Sequence, residues 1–179
     1  MSSVVISGDT SGAITLAAPA VAGTNTITLP ASTGTILTTG SPQSGGVIQT
    51  VSQTSNTSVT SSGGTIATLL SFSITPKFAT SKILVMSSVT VYITPNTNQV
   101  AFSGIYRGTT SGTLLQDMYS GFGTALTSNP YFAMSHQYLD NPATTSATTY
   151  TLAINRASSA TTSVSNGGPY TLTLMEIAA

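Results

Sequence analysis

Along the last two thirds of the chain, apolar side chains recur at every second position. Ile83, Val85, Val89, Val91 and Ile93 fall on one face at period two, and Tyr170, Leu172 and Leu174 do the same near the C-terminus. Such alternation marks β-strands with one buried side. Strands are predicted near 47–53, 66–74, 82–94, 99–107, 113–120, 131–139, 148–155 and 169–177. Between them lie turn-forming clusters: Ser61-Ser62-Gly63-Gly64, Thr94-Pro95-Asn96, Gly108 to Gly112, Asn129-Pro130, Asn141-Pro142 and Asn166-Gly167-Gly168-Pro169. Eight strands at this spacing predict a β-sandwich or jelly roll. The region of about 130 residues from 46 to 179 is long enough to bury a core of its own.

Residues 1–45 read differently. Val4-Val5-Ile6, Ala13-Ile14-Thr15-Leu16-Ala17, Asn25-Thr26-Ile27-Thr28-Leu29 and Thr35-Ile36-Leu37-Thr38 are short strand-like runs, separated by Gly and Pro. They hold too few large apolar residues for a private core. This arm is expected to pack on another copy, on the C-terminal head or on a larger particle. Thr39 to Gly46 is a Gly/Ser/Pro linker, so the expected domains are an arm (1–45) and a head (46–179).

Composition sharpens the picture. About a third of the chain is Ser or Thr, and only Asp9, Lys77, Lys82, Arg107, Asp117, Asp140, Arg156 and Glu176 are formally charged. An ordinary domain is about a quarter charged, whereas this one is 4% charged with zero net charge. No basic stripe exists to neutralise phosphates, which argues against nucleic acid and against an anionic membrane surface. No apolar run reaches the ~18 residues of a membrane span, so no membrane insertion is expected. The chain is 40% apolar, which argues against disorder. Glu, Lys and Arg together are too few for surface helices, while β-formers abound. There is no Cys, hence no disulfide and no thiolate metal site. Zero net charge and open strand edges promote association, so much of the surface is expected to be buried against copies or partners.

Ile6-Ser-Gly-Asp-Thr-Ser-Gly-Ala-Ile-Thr-Leu-Ala-Ala-Pro-Ala-Val-Ala-Gly-Thr-Asn-Thr-Ile-Thr-Leu-Pro-Ala-Ser-Thr-Gly-Thr-Ile-Leu37 resembles a module of structural and tail-fibre-type proteins of marine and freshwater bacteriophages. The head resembles the C-terminal domain that often follows it. The similarity rests on Ile74-Thr-Pro-Lys-Phe-Ala-Thr-Ser-Lys-Ile-Leu-Val85, Ile105-Tyr-Arg-Gly-Thr109, Tyr138-Leu-Asp-Asn-Pro142 with its continuation to Tyr150, Ile154-Asn-Arg156 and Leu172-Thr-Leu-Met-Glu-Ile177. The resemblance covers most of the chain. It implies a virion protein with a jelly-roll head, homotrimeric, assembled in the host bacterial cytoplasm. It brings no catalytic pattern. Long fibres carry repeated shafts or coiled-coil heptads, and neither is present in this sequence.

Candidate chemistry is sparse. His136 with Asp140 and a serine could be imagined as a triad, but no Gly-x-Ser-x-Gly elbow exists. Asp117, Asp140 and Glu176 could be imagined as glycosidase carboxylates, which need two of them about 5–10 Å apart. Glu176 reads better as an ion-pair partner of Arg107 or Arg156. Metal ligands are too few for a site, and Gly121-Phe-Gly123 completes no phosphate-binding fingerprint. No catalytic, cofactor or metal residue is assigned. Seven Tyr and five Phe are expected in the core or at subunit contacts, since they lie within strands. Loops 94–100, 108–113, 124–130 and 157–168 are the candidate recognition surface. The expected function is a non-enzymatic knob or short fibre on the virion, first as a capsid decoration or cement protein bound to the major capsid protein. The alternative is a tail-fibre adsorption protein whose head binds host surface glycan.

Overall fold

The computed structural model describes residues 3–17, 19–21, 23–24, 26, 31, 42–62, 64–94, 99–122, 128–156, 162–164 and 168–179. The chain divides into two compact units, Met1–Ile36 and Leu37–Ala179. The described residues are all-β.

In the first unit, β1 (Ser3–Ser7) and β2 (Ala13–Ala17) form an antiparallel hairpin. Its turn is closed by the Gly8 N–H donating to the Gly12 carbonyl at 3.0 Å. The register pairs Val4 with Leu16 and Ile6 with Ile14, so four aliphatic side chains share one face. The expected strands at 25–29 and 35–38 lie almost entirely outside the described residues.

The second unit contains β3 (Val47–Ser55), β4 (Thr60–Ser61), β5 (Ala67–Ile74), β6 (Lys82–Ile93), β7 (Gln99–Arg107), β8 (Thr113–Phe122), β9 (Tyr131–Asp140), β10 (Thr148–Arg156), β11 (Thr162–Val164) and β12 (Tyr170–Ile177). Eight of these are long and match the predicted runs to within a residue or two. Their pairing defines the topology. The first long strand pairs with the last (β3 with β12), the second with the seventh (β5 with β10), the third with the sixth (β6 with β9) and the fourth with the fifth (β7 with β8). This is one long antiparallel ribbon rolled up so that alternate pairs enter alternate sheets. Sheet one runs β3-β12-β6-β9 and sheet two β5-β10-β7-β8. That arrangement is the jelly roll. Short β11 lies beside β6 at Val91–Ile93, beyond the stretch that β12 covers, and β4 pairs with it.

The core fills the space between the two sheets. Ile83, Val85, Val89, Val91 and Ile93 of β6 are all at most 1% exposed, as the period-two pattern requires. Tyr170, Leu172 and Leu174 join them from β12, and Ile105, Tyr150, Leu152 and Ile154 face them from sheet two. Turn chemistry explains the sharp reversal between β7 and β8. Gly108 has φ +90°, and a Cβ on Gly112 would lie 2.2 Å from the Arg107 carbonyl oxygen, so neither position accommodates a side chain without rebuilding the turn. Gly45 and Gly46, at the end of the sequence linker, are tied into the head: Gly45 N–H donates to Ala178 O at 2.8 Å and Ala178 N–H to Gly46 O at 2.9 Å.

Candidate functional site

Four of the five head motifs meet in two pairs, and each pair is joined by a buried carboxylate. Glu176, in β12, points inward and is 0% exposed. Its Oε1 accepts from the backbone N–H of Lys77 at 2.7 Å and of Phe78 at 3.3 Å. Its Oε2 accepts from Gln49 Nε2 at 2.6 Å, and the same amide nitrogen donates to Thr75 O at 2.7 Å. Burial pushes the Glu176 carboxyl up, but the nearby Ser81 hydroxyl together with hydrogen bonds from Gln49, Lys77 and Phe78 outweighs it and holds the group below the usual range. The carboxylate thus staples the crossover from β5 to β6 onto the last strand. The expectation of an ion pair between Glu176 and Arg107 or Arg156 is corrected in this respect: backbone N–H groups and Gln49 hold Glu176, and Arg107 is taken elsewhere.

Arg107, the last residue of β7, lies 3.2 Å from Asp140 Oδ1, the last residue of β9. Tyr150, in β10, donates its hydroxyl to Asp140 Oδ2 at 2.7 Å. The Arg107 side chain is 34% exposed and Asp140 6%. Burial first, then the hydrogen bond and charge of Asp140, raise the Tyr150 hydroxyl far above its normal value, with Arg107 opposing. This triad locks the β7–β8 turn to the β9–β10 turn.

His136 is 0% exposed, and its Nε2 lies 3.1 Å from Ser103 Oγ across the sandwich. Burial lowers its pKa, partly offset by the charge of Asp117. A Ser–His contact therefore exists, but it makes no nucleophile. Ser103 is also 0% exposed, so no substrate reaches it. Asp140 is four residues along the same strand face from His136, about 13 Å away by strand rise, and is committed to Arg107 and Tyr150. Nδ1 of His136 has no hydrogen-bond partner among the described residues.

The carboxylates come closer than the sequence suggested. Glu176 and Asp140 flank Ile83 in one row of sheet one, a Cα separation of about 10 Å from strand spacing. Both are buried and saturated with structural partners, which leaves no slot for a sugar between them. Asp117 lies apart, on the outer face of sheet two opposite Gly104. Among the described residues no group of three or more His, Asp or Glu could hold a metal ion.

Of the aromatic residues, Tyr150 and Tyr170 are core. Phe102 and Tyr106 lie on the outer face of sheet two yet are only 6% and 5% exposed, and Phe102 folds over Gly104 beside Leu114. A Cβ on Gly104 would sit 3.0 Å from the tip of Phe102. Tyr119 tilts against Phe102 with ring centres 5.1 Å apart and remains exposed. Loop 108–113 is described and ordered by its glycines. Of the others, 95–98, 124–127, 157–161 and 165–167 lie outside the described residues.

The outer face of sheet one carries a shallow groove of about 210 Å3. Thr173, Met86 and Gln137 form one row across it, and Thr171, Ser88 and Ser135 the next. Ser52 and Thr54 of β3 extend the rows, with hydroxyl contacts to Thr173 at 2.8 Å and Thr171 at 3.1 Å. Sequence reasoning passed over these residues because lone Ser and Thr positions give no signal until the register aligns them.

No protein-family model and no curated protein matches the chain. Among solved structures it is similar to VP2 of infectious bursal disease virus in a subviral particle, at 17% identity and TM-score 0.39, over 73% of this chain and 37% of that one. It is similar to the Gx strain of the same virus at 18% identity and TM-score 0.41, over 98% and 46%. It is also similar to a Bacillus endospore appendage of a family of disulfide-linked pili, at 15% identity and TM-score 0.36, over 83% and 100%. The chain spans less than half the length of these viral proteins. The jelly-roll assignment rests on the strand order.

Proposed function

We propose that the protein is a non-enzymatic structural component of a bacteriophage virion, an oligomeric surface knob that decorates the capsid and is held by its N-terminal unit. The observation that carries this reading is the β1–β2 hairpin. Val4, Ile6, Ile14 and Leu16 share one of its faces and are 61%, 55%, 66% and 57% exposed. An isolated two-stranded ribbon is marginal in water, and neither strand carries a charged residue. Covering the exposed part of four aliphatic side chains contributes about 4–6 kcal/mol per copy. Association costs about 4–15 kcal/mol, so one hairpin alone holds weakly. Several hairpins on one oligomer bind together with a large gain in avidity. Such contacts stabilise only the assembled shell, which is what a cement protein requires. The resemblance of the arm and head motifs to phage virion proteins supports the same reading.

The adsorption alternative has one observation in its favour. Exposed Tyr119 stands two residues from Asp117 on the outer face of sheet two, an aromatic face beside a hydrogen-bond acceptor that suits a neutral sugar ring.

Gold-labelled protein imaged in intact virions separates the readings. Many copies spread over the head support decoration, and a full-length Ile6→Asp/Ile14→Asp variant should then leave the head bare. Copies confined to one vertex overturn decoration in favour of adsorption. Full head occupancy by the double variant overturns the role of the hairpin.

A further inference from the structure

The outer face of sheet one is built unlike the outer face of sheet two. On sheet two Phe102 and Tyr106 are covered, but Leu114 and Tyr119 are 43% and 65% exposed, and the Asp117 carboxylate stands among them on the face. On sheet one large side chains are also open, at both ends, but no carboxylate stands among them. Leu84 lies between Met175 and Leu139 at one end, with Leu139 51% exposed. Tyr92 and Tyr131 pack tilted, ring centres 5.4 Å apart, at the other, with Tyr131 57% exposed. The rows of Thr, Ser, Met and Gln lie between them. Lys82, at one end of β6, is the only charged side chain among the described residues of this face.

We propose that this face is a contact surface between copies of the chain, with two such faces meeting hydroxyl row against hydroxyl row. The chemistry is self-complementary. A hydroxyl both donates and accepts, so an array of Ser and Thr satisfies an identical array, which a row of carboxylates or ammonium groups cannot do. With one charge, at the end of an inner strand, a two-fold axis lying across the strands places the two Lys82 side chains at opposite ends and no like charges meet. The size fits. Four strands about 4.8 Å apart and some 26 Å long give a projected area of roughly 500 Å2. Side-chain relief raises the accessible area towards the ~800 Å2 per partner of a stable interface. The open apolar ends supply the buried anchors on either side of the polar centre. This surface gives the self-association of the preceding reading a location, and it does not depend on the hairpin binding a particle.

The test is the mass of the purified full-length chain by light scattering and sedimentation velocity, against Ser135→Lys, Gln137→Lys and Ser73→Lys. Ser135 and Gln137 are exposed on β9, which pairs only with β6 among the described residues, so a lysine there fits the isolated fold. Ser73 is exposed on the outer face of sheet two and serves as the control. The wild type should be a dimer or a higher even-numbered oligomer, and a trimer, as the resemblance implies, overturns the face-to-face pairing. Ser135→Lys and Gln137→Lys should weaken the association at least ~100-fold, since they bring like charges together in a desolvated contact. Their far-UV circular dichroism should be unchanged, and Ser73→Lys should behave as wild type. A monomeric wild type at the highest soluble concentration overturns the proposal and leaves the face to a different protein. Unchanged mass in both β9 variants overturns it as well. Dissociation by Ser73→Lys alone moves the contact to sheet two. Loss of particle attachment in the hairpin variant with unchanged mass bears on the hairpin alone.

Discussion

Removing the Glu176 carboxylate tests whether a single buried acid holds the crossover of the roll. The group accepts three hydrogen bonds at 2.6, 2.7 and 3.3 Å and is 0% exposed. Hydrogen bonds to charged groups are worth about 1.5–3 kcal/mol each, and a buried donor left unpaired costs about 1–3 kcal/mol. Simple addition overstates the loss, because water enters the vacated space. Glu176→Ala should therefore cost about 3–5 kcal/mol, as breaking a buried charged pair does, a large part of a total stability of about 5–15 kcal/mol. Glu176→Gln is more discriminating. Its oxygen can still accept from Lys77 and Phe78, but its NH2 then meets the NH2 of Gln49. Gln49 cannot turn over without losing its bond to Thr75 O. The cost should be about 1–3 kcal/mol.

The assay is urea unfolding with the slope unchanged and the midpoint lowered, repeated as a function of pH. The folded carboxyl lies below its ordinary value of 4.5, so below that value the unfolded chain binds the proton more readily. The stabilisation is complete above pH 4.5 and disappears as pH falls through the folded value. Glu176→Gln should lack that acid limb. A loss under about 1 kcal/mol for Glu176→Ala, or a wild-type acid limb in Glu176→Gln, would refute the staple.

Two further outcomes follow from the other buried polar groups. Asp140→Ala should cost about 2–3 kcal/mol, less than a fully buried pair because Arg107 is partly solvated, and Tyr150→Phe about 1 kcal/mol; in a thermodynamic cycle by urea unfolding the double variant should fall short of the sum, and full additivity would show that the two side chains act separately. Burial holds the folded His136 below its ordinary value of 6.5, so the unfolded chain takes up a proton that the folded chain refuses, and melting temperature should decline as pH drops from 6.5 towards 5. His136→Gln should flatten that decline, and an equal slope in the variant would contradict the burial argument.

The head's strands were legible because a sandwich writes its two sides into the sequence as alternation. The eight long strands, the inward faces of β6 and β12 and the turns at Gly108–Gly112 and Asn141-Pro142 all follow from local pattern. The two-residue β4 and three-residue β11 were missed, since runs so short carry no period. Pairing order was not legible, because period-two alternation fixes which side chains face inward but not which strand lies alongside. Long-range placement alone brought Glu176 to the backbone of Lys77 and Phe78, 99 and 98 positions away. Charge scarcity suggested an ion pair for Glu176, but burial favoured backbone donors that need no second desolvated charge. In the same way the sequence set the abundance of Ser and Thr, and only the register aligned them into rows across neighbouring strands. The aliphatic hairpin sits between these cases. Its strands and its want of a core were readable, whereas the pairing of Val4 with Leu16 and Ile6 with Ile14 on one side depends on a register that a one-residue slip would have inverted.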